Sequence, residues 1–247
     1  SDPEVISRLV PSELKSSGGE EDRCLASMGI YVFGGSSMFD ALNGDATDFG
    51  KEIIPSLVEK KDIRCHVFDN YWEDIGTVRS FFEANLQLTD DLPSFDFYEE
   101  GHPIYNYPDL LPTAKLGNCA LNRTTIASGC MVGSSSFVRC MLGVRSIVGN
   151  GCSLNNVVMM GADCYETFEP KSKEQSPDYL PIGVGDGTLV EEAIIDKNAR
   201  IGKNVILSPK GLPDGWADER QNVYIRDGIV VVVKNAVVKD GTKIGQI

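Results

Sequence analysis

"LVEEAIIDKNARIGKNVIL", residues 189–207, decides the fold. Leu189, Ile195, Ile201 and Leu207 fall six residues apart, with Glu, Asp, Asn, Lys and Gly between them. Hexads of this kind build a parallel β-helix, in which each coil has three short faces and one apolar side chain per face points inward. The same period recurs at Ile126, Val132 and Val138, and again at Val232, Val238 and Ile244. Its phase slips between Val138 and Ile147, and the polar stretch "SKEQSPDYLPIG" (residues 172–183) interrupts it, as expected where loops leave a coil. A β-sandwich of short strands is the alternative. Three separate runs in one period count against it.

Upstream the pattern is mixed α/β. "LASMGIYVF" (residues 25–33) and "IRCHVF" (63–68) read as buried strands, and "SSMFDAL" (36–42) and "FGKEIIPSLVEK" (49–60) as helices between them. Strand–helix–strand order suits a sheet with helices packed against it. From residue 101 to about 114 the chain is rich in Pro, Gly and Tyr without periodicity, which reads as a linker. The expected organisation is therefore an α/β part over residues 1–100, a linker over 101–114 and a β-helix over 115–247.

Near the end of the α/β part stands "YWEDIGT", residues 71–77, followed by Val78, Phe81, Phe82 and Leu86 on one face of a helix. Thr77 sits where an N-cap would sit. Asp74 is then presented in a tight turn beside Gly76, where a ligand can approach the backbone closely.

Bulk properties narrow the function. With 42% hydrophobic and 24% charged residues the chain reads as an ordinary globular protein. No run of 18 apolar residues marks a membrane span, and "SDPEVISRLV" at the start carries no targeting pattern. A net charge of -13 argues against a general nucleic-acid binder, though not against a local anion site. The seven cysteines form no CxxC pair and are expected to be reduced, mostly packed thiols, with no zinc site. His66 and His102 are expected to have packing or surface roles.

"LASMGIYVF", "DFGKEIIP", "NYWEDIGTVRSFFEANLQL", "MMGADCYET", "PIGVG", "AIIDKNARIGKNVIL" and "VYIRDGIVVVVKNAVVKDGTKI" together resemble the glucose-1-phosphate adenylyltransferase family, in family order and near-family spacing. The closing motifs and "GADCYET" resemble the plant, algal and cyanobacterial branch most. The resemblance implies a partial Rossmann-like nucleotidyltransferase domain followed by a left-handed parallel β-helix with regulatory and oligomerisation roles. It implies the conversion of ATP and glucose 1-phosphate to ADP-glucose and diphosphate in starch or glycogen synthesis, with Mg²⁺ as cofactor. By the same resemblance Asp74 is a Mg²⁺ ligand and Ser27 contacts glucose 1-phosphate.

The family's Gly-rich phosphate cradle is not matched by Gly18-Gly19 or Gly34-Gly35, and the partner acid and sugar-phosphate lysine of the family are not matched either. The chain is therefore expected to be a C-terminal portion that is inactive alone. In the photosynthetic branch a phosphorylated activator (3-phosphoglycerate) and inhibitory phosphate bind basic residues, which match Lys197 and Lys234 here. From Asp196 to Lys243 there are nine Lys/Arg against six Asp/Glu, a local excess of +3 that favours a phosphate monoester. Arg200, Lys203 and Arg226 remain open on this reading.

The resemblance also implies a homo- or hetero-tetramer, located in a plastid in a plant or alga and in the cytoplasm in a bacterium. Two alternatives belong to other classes. A hexapeptide-repeat acyltransferase shares the β-helix, but both histidines precede the coils and "YWEDIGT" has no role there. A non-catalytic regulatory subunit or assembly module would keep the fold without the chemistry.

Overall fold

The structure, a computed structural model, describes residues 26–58, 63–105, 110–166 and 179–247. The chain divides into two compact units, one ending at Asn70 and the other running from Tyr71 to Ile247.

In the first unit the two expected helices form. Gly35–Leu42 is one, and a π-helical turn over Phe49–Ile53 runs on into an α-helix over Ile54–Val58. The Asp48 carboxylate accepts the Lys51 N–H at 2.8 Å, and Glu52 reaches back to the Thr47 N–H at 2.8 Å. Orphan donors at the start of the turn are thus met by side chains. The two expected strands do not form among the described residues. Ile30 is 73% and Val32 98% exposed, so the apolar run has neither a neighbouring backbone to pair with nor a face to bury. The aromatic rings of Tyr31, Phe33 and Phe49 cluster instead, with centroids 6.0 to 6.4 Å apart.

The second unit is built on a parallel β-helix. One wall stacks two-residue strands in parallel: Lys115–Leu116, Met131–Val132, Ile147–Val148, Gly183–Val184, Arg200–Ile201 and Val237–Val238. The other walls come from the seven-residue strands Ala120–Ile126, Ser136–Leu142, Ser153–Met159 and Leu189–Ile195. Each of these bends at its middle residue. Arg123, Arg139, Asn156 and Glu192 all have left-handed φ, between 46° and 51°, and the ladder skips them. One seven-residue strand therefore supplies two faces of the prism. Ile206–Leu207 continues the first of these faces and Ile229–Val232 the second. Val223–Arg226 and Ala217–Asp218 then add an antiparallel extension.

The hexad reading needs correction at Val138 and Leu189. Ile195, Ile201, Leu207, Val232, Val238 and Ile244 all point into the core, as the period requires. Val138, however, is 45% exposed and Phe137 is buried in its place, while Val190 rather than Leu189 is fully buried. Across Arg139 and Glu192 the buried positions run from Phe137 to Leu142 and from Val190 to Ile195, a shorter step than a constant period of six can encode.

The core is a column of aliphatic side chains with Phe137 near one end. Cys130, Cys140 and Cys152 are packed into it, and burial raises all three thiols, Cys140 to about 11. Cys65 and Cys164 are exposed, and Cys24 lies outside the described residues. His66 is exposed, and exposed His102 pairs with Glu99 at 2.7 Å, a surface role. Buried hydroxyls close onto coil carbonyls, Ser146 onto Gly143 at 2.7 Å and Thr188 onto Gly202 at 2.9 Å.

The helix Val78–Gln87 packs on this β-helix. Phe82 and Leu86 are buried against Val158, Ile194 and Ile229, an anchorage of roughly 1.5–3 kcal/mol for each of the two side chains. Ion pairs rim it: Arg79 with Glu83 at 3.3 Å, Arg139 with Glu83 at 3.7 Å, and Arg123 with Asp90. Thr77 is the N-cap. Its hydroxyl accepts the Ser80 N–H at 3.1 Å, and the Ser80 hydroxyl accepts the Thr77 N–H at 3.1 Å. Thr77→Ala should cost about 1 kcal/mol of stability and speed amide exchange at Ser80 first. A denaturation midpoint and exchange rates equal to wild type would contradict that assignment.

Candidate functional site

Lys197 and Lys234 each open the same triplet, Lys-Asn-Ala, on adjacent coils. Ala199 and Ala236 are buried at 2% and 0%, which fixes the inward phase of both triplets. Asn198 and Asn235 turn the corner with φ of 62° and 61°, a conformation that Asn tolerates better than most residues. The Asn235 N–H donates to the Lys197 carbonyl at 3.0 Å, and the Asn198 N–H donates to the Gly161 carbonyl at 3.1 Å, so three coils stack in register here.

The uppermost of these coils brings in Asp163. It follows Gly161, whose φ of +87° and 2.0 Å clearance between an added Cβ and the Val144 carbonyl oxygen admit only glycine. The Asp163 N–H donates to Asn198 Oδ1 and Asn198 Nδ2 donates to Asp163 Oδ2, both at 2.9 Å. The two lysines then converge. Lys197 Nζ lies 3.2 Å from Asp163 Oδ1 and Lys234 Nζ 3.0 Å from Asp163 Oδ2. The Asn198 amide, and after it the ammoniums of Lys234 and Lys197, hold the Asp163 carboxyl far below the ordinary carboxylate range. All three charged side chains are between 40% and 47% exposed, so a small anion in solution can reach them.

Neighbouring cations are engaged elsewhere. Arg200 donates to Glu166 at 2.5 Å and to the Leu180 carbonyl at 2.5 Å, and it stacks over the Tyr179 ring. Glu166 also accepts the Tyr179 hydroxyl at 2.6 Å and the Ile182 N–H at 2.9 Å. Lys203 pairs with Asp186, Lys210 with Glu191, and Arg226 donates to the Ile225 carbonyl at 2.7 Å. Lys197 and Lys234 differ from these in sharing one carboxylate between two ammoniums. The sequence pointed to both lysines but not to Asp163, Asn198 or Asn235. The repeated Lys-Asn-Ala triplet, its asparagines 37 residues apart, was the available signal.

Asp74 is exposed, and among the described residues its hydrogen bond is from the Gly76 N–H to Oδ1 at 3.0 Å. Thr77 carries the helix cap. An exposed carboxylate fits a site for Mg²⁺, which takes one or two carboxylates from a protein and otherwise keeps water and phosphate oxygens around it. Among the described residues no group of three acidic, His or Cys side chains could hold a metal by itself.

Ser27 belongs to the first unit and lies in irregular backbone, not in the expected strand. Its hydroxyl accepts the Gly29 N–H at 3.2 Å and stands 3.0 Å from the Tyr31 hydroxyl. Beside it Gly29, Tyr31, Phe33, Met38 and Phe49 line an open cleft.

Comparison with known proteins agrees with this architecture. Residues 109–243 match the family model described as the GLGC left-handed parallel β-helix domain. Residues 12–91 match that of the nucleotidyl transferase family. The chain is 43% identical over 224 residues to the large subunit 1 of glucose-1-phosphate adenylyltransferase, chloroplastic/amyloplastic, of Zea mays. That alignment covers 89% of the chain and 43% of the maize protein, so the chain spans less than half the length of this relative. With a nucleotidyl transferase segment leading into a GLGC β-helix that fills more than half of it, the chain belongs to the glucose-1-phosphate adenylyltransferase family.

Proposed function

We propose that the chain is part of an enzyme that converts ATP and glucose 1-phosphate to ADP-glucose and diphosphate for starch or glycogen synthesis, and that its β-helix carries the site of a phosphorylated effector. The observation that carries the regulatory half is the convergence of Lys197 and Lys234 on one point, at 3.2 and 3.0 Å from the two oxygens of Asp163. A phosphate monoester offers the same pair of anionic oxygens with a second charge. Both lysines rise from coils whose backbone is fixed by the stack, so binding would have to order side chains only and no backbone segment.

In the catalytic half Asp74 would hold Mg²⁺, which supplies charge neutralisation to the phosphates when bound. The chain's own contributions are positional. Asp74 presents its carboxylate from a turn braced by Gly76, and Thr77 relieves it of the capping task. Ser27 would donate its hydroxyl to the sugar phosphate from beside the Tyr31 hydroxyl. Nucleotidyl transfer depends on such positioning and on electrostatic stabilisation rather than on a protein nucleophile.

The reading includes a tetramer of like subunits and, in a plant or alga, a plastid location, in keeping with the chloroplastic/amyloplastic maize relative. The test is an assay of the native assembly containing this chain with ATP, glucose 1-phosphate and Mg²⁺, with and without 3-phosphoglycerate. ADP-glucose formation that rises with the effector is expected. Formation of a different nucleotide sugar would overturn the reaction, and effector-independent formation would overturn the regulatory site.

A further inference from the structure

We infer that Asp163 is a built-in competitor of the two-lysine site: its carboxylate engages the same two ammoniums that an effector's phosphate would contact, and so sets how weakly the resting site binds anions. The inference rests on the effector reading of Lys197 and Lys234. It adds a residue that opposes binding, and therefore sets the effector concentration to which the site responds.

Three observations support it. First, the two ammoniums bind different oxygens of the same carboxylate, at 3.2 and 3.0 Å, which is the arrangement they would offer to two oxygens of a phosphate. Second, the carboxylate is held in place independently of the lysines. Its own N–H is tied to Asn198 Oδ1, Asn198 Nδ2 donates to Oδ2, and Asn198 is in turn bonded to Asn235 at 3.2 Å. Asp163 is therefore fixed by the corner ladder and does not depend on the salt bridges for its position. Third, the cluster is half-exposed, so an incoming anion meets it without any rearrangement of the core.

Charge decides the consequence. Two lysines and one carboxylate leave a net +1, and a phosphate dianion entering beside the carboxylate faces like-charge repulsion at contact range. Neutralising the carboxylate leaves +2 facing the dianion. The rest of the anion-binding geometry stays as it is, since the Asp163 and Asn198 main-chain bonds to neighbouring coils do not involve the carboxylate. Asp163→Asn is nearly isosteric, and its amide oxygen can still accept from Asn198 Nδ2.

The experiment titrates inorganic phosphate into the 247-residue chain, into Asp163→Asn and into Lys197→Gln/Lys234→Gln, following binding by calorimetry and by the side-chain amide resonances of Asn198 and Asn235. Asp163→Asn should bind phosphate at least about fivefold more tightly than wild type, and the double lysine variant should lose the binding. A melting temperature for Asp163→Asn within a degree or two of wild type would show that the fold is intact. If wild type binds phosphate and Asp163→Asn binds it equally or more weakly, the carboxylate orients the lysines instead, and the inference is overturned while the effector reading stands. If neither wild type nor Asp163→Asn binds phosphate at tens of millimolar, the effector reading itself falls. Should Asp163→Asn fail to fold, Asp163→Ser, which keeps a small polar side chain at the corner, takes its place in the same titration with the same two deciding outcomes.

Discussion

Asp74→Asn, placed in the native assembly that carries this chain, is expected to lower turnover at saturating Mg²⁺ by a factor of about one hundred or more. That loss corresponds to about 2.7 kcal/mol of transition-state stabilisation. The substitution is chosen because the local structure isolates the charge. Asn keeps an oxygen to accept the Gly76 N–H and favours the same side-chain-to-backbone turn, so the YWEDIGT segment retains its shape. The helix that follows is capped by Thr77 and Ser80 and anchored through Phe82 and Leu86, so neither its cap nor its anchorage uses the Asp74 carboxylate. Stability should accordingly be unchanged, and the loss should appear in kcat. A near-normal rate with a lowered melting temperature would make Asp74 a structural residue of the turn.

The contrast with Thr77 shows what the sequence could and could not disclose. The Thr77 cap and the face Val78–Phe82–Leu86 were readable because both are local: a cap acts over three residues and a helical face over eight. The β-helix was readable for a similar reason, since Ile195, Ile201 and Leu207, and again Val232, Val238 and Ile244, obey one constant step. Leu189 was misplaced because Glu192, between Val190 and Ile195, takes left-handed φ without being Gly or Asn, so nothing in its identity announces the bend. No such residue lies between Val132 and Val138, where the inward position simply falls one residue early, at Phe137. The strands expected over residues 25–33 and 63–68 had the right composition. Strand formation, however, depends on a partner, and composition does not supply one.

The site was half legible for the same reason. Lys197 and Lys234 stood out through resemblance and a local charge excess, whereas Asp163 lies on a different coil, separated from them in sequence by the polar stretch 172–183 that breaks the period. Only stacked coils reveal that Asn198 bonds both Asp163 and Asn235. The charge excess itself was a poorer guide than it first appeared. Arg200, Lys203 and Lys210 contribute to it, yet each is matched by its own carboxylate, Glu166, Asp186 and Glu191 respectively. Surface pairs of that kind add little stability, but they do remove those cations from the pool that could greet an anion.

Lys234 therefore offers the sharpest test of the regulatory site. Lys234→Glu changes the cluster from a net +1 to a net -1, with two carboxylates now flanking Lys197, and a dianion should be repelled rather than held. Its backbone, between the buried Val232 and Ala236, stays in the coil whichever side chain it bears. The measurement is the activation curve of the native assembly for 3-phosphoglycerate, wild type against Lys234→Glu, with substrate affinities recorded in the absence of effector. The half-activation concentration should rise tenfold or more, a coupling loss of about 1.4 kcal/mol or above, with substrate affinities unchanged. Superimposable activation curves would contradict the account and return Lys234 to the ordinary solvated lysines of the β-helix surface.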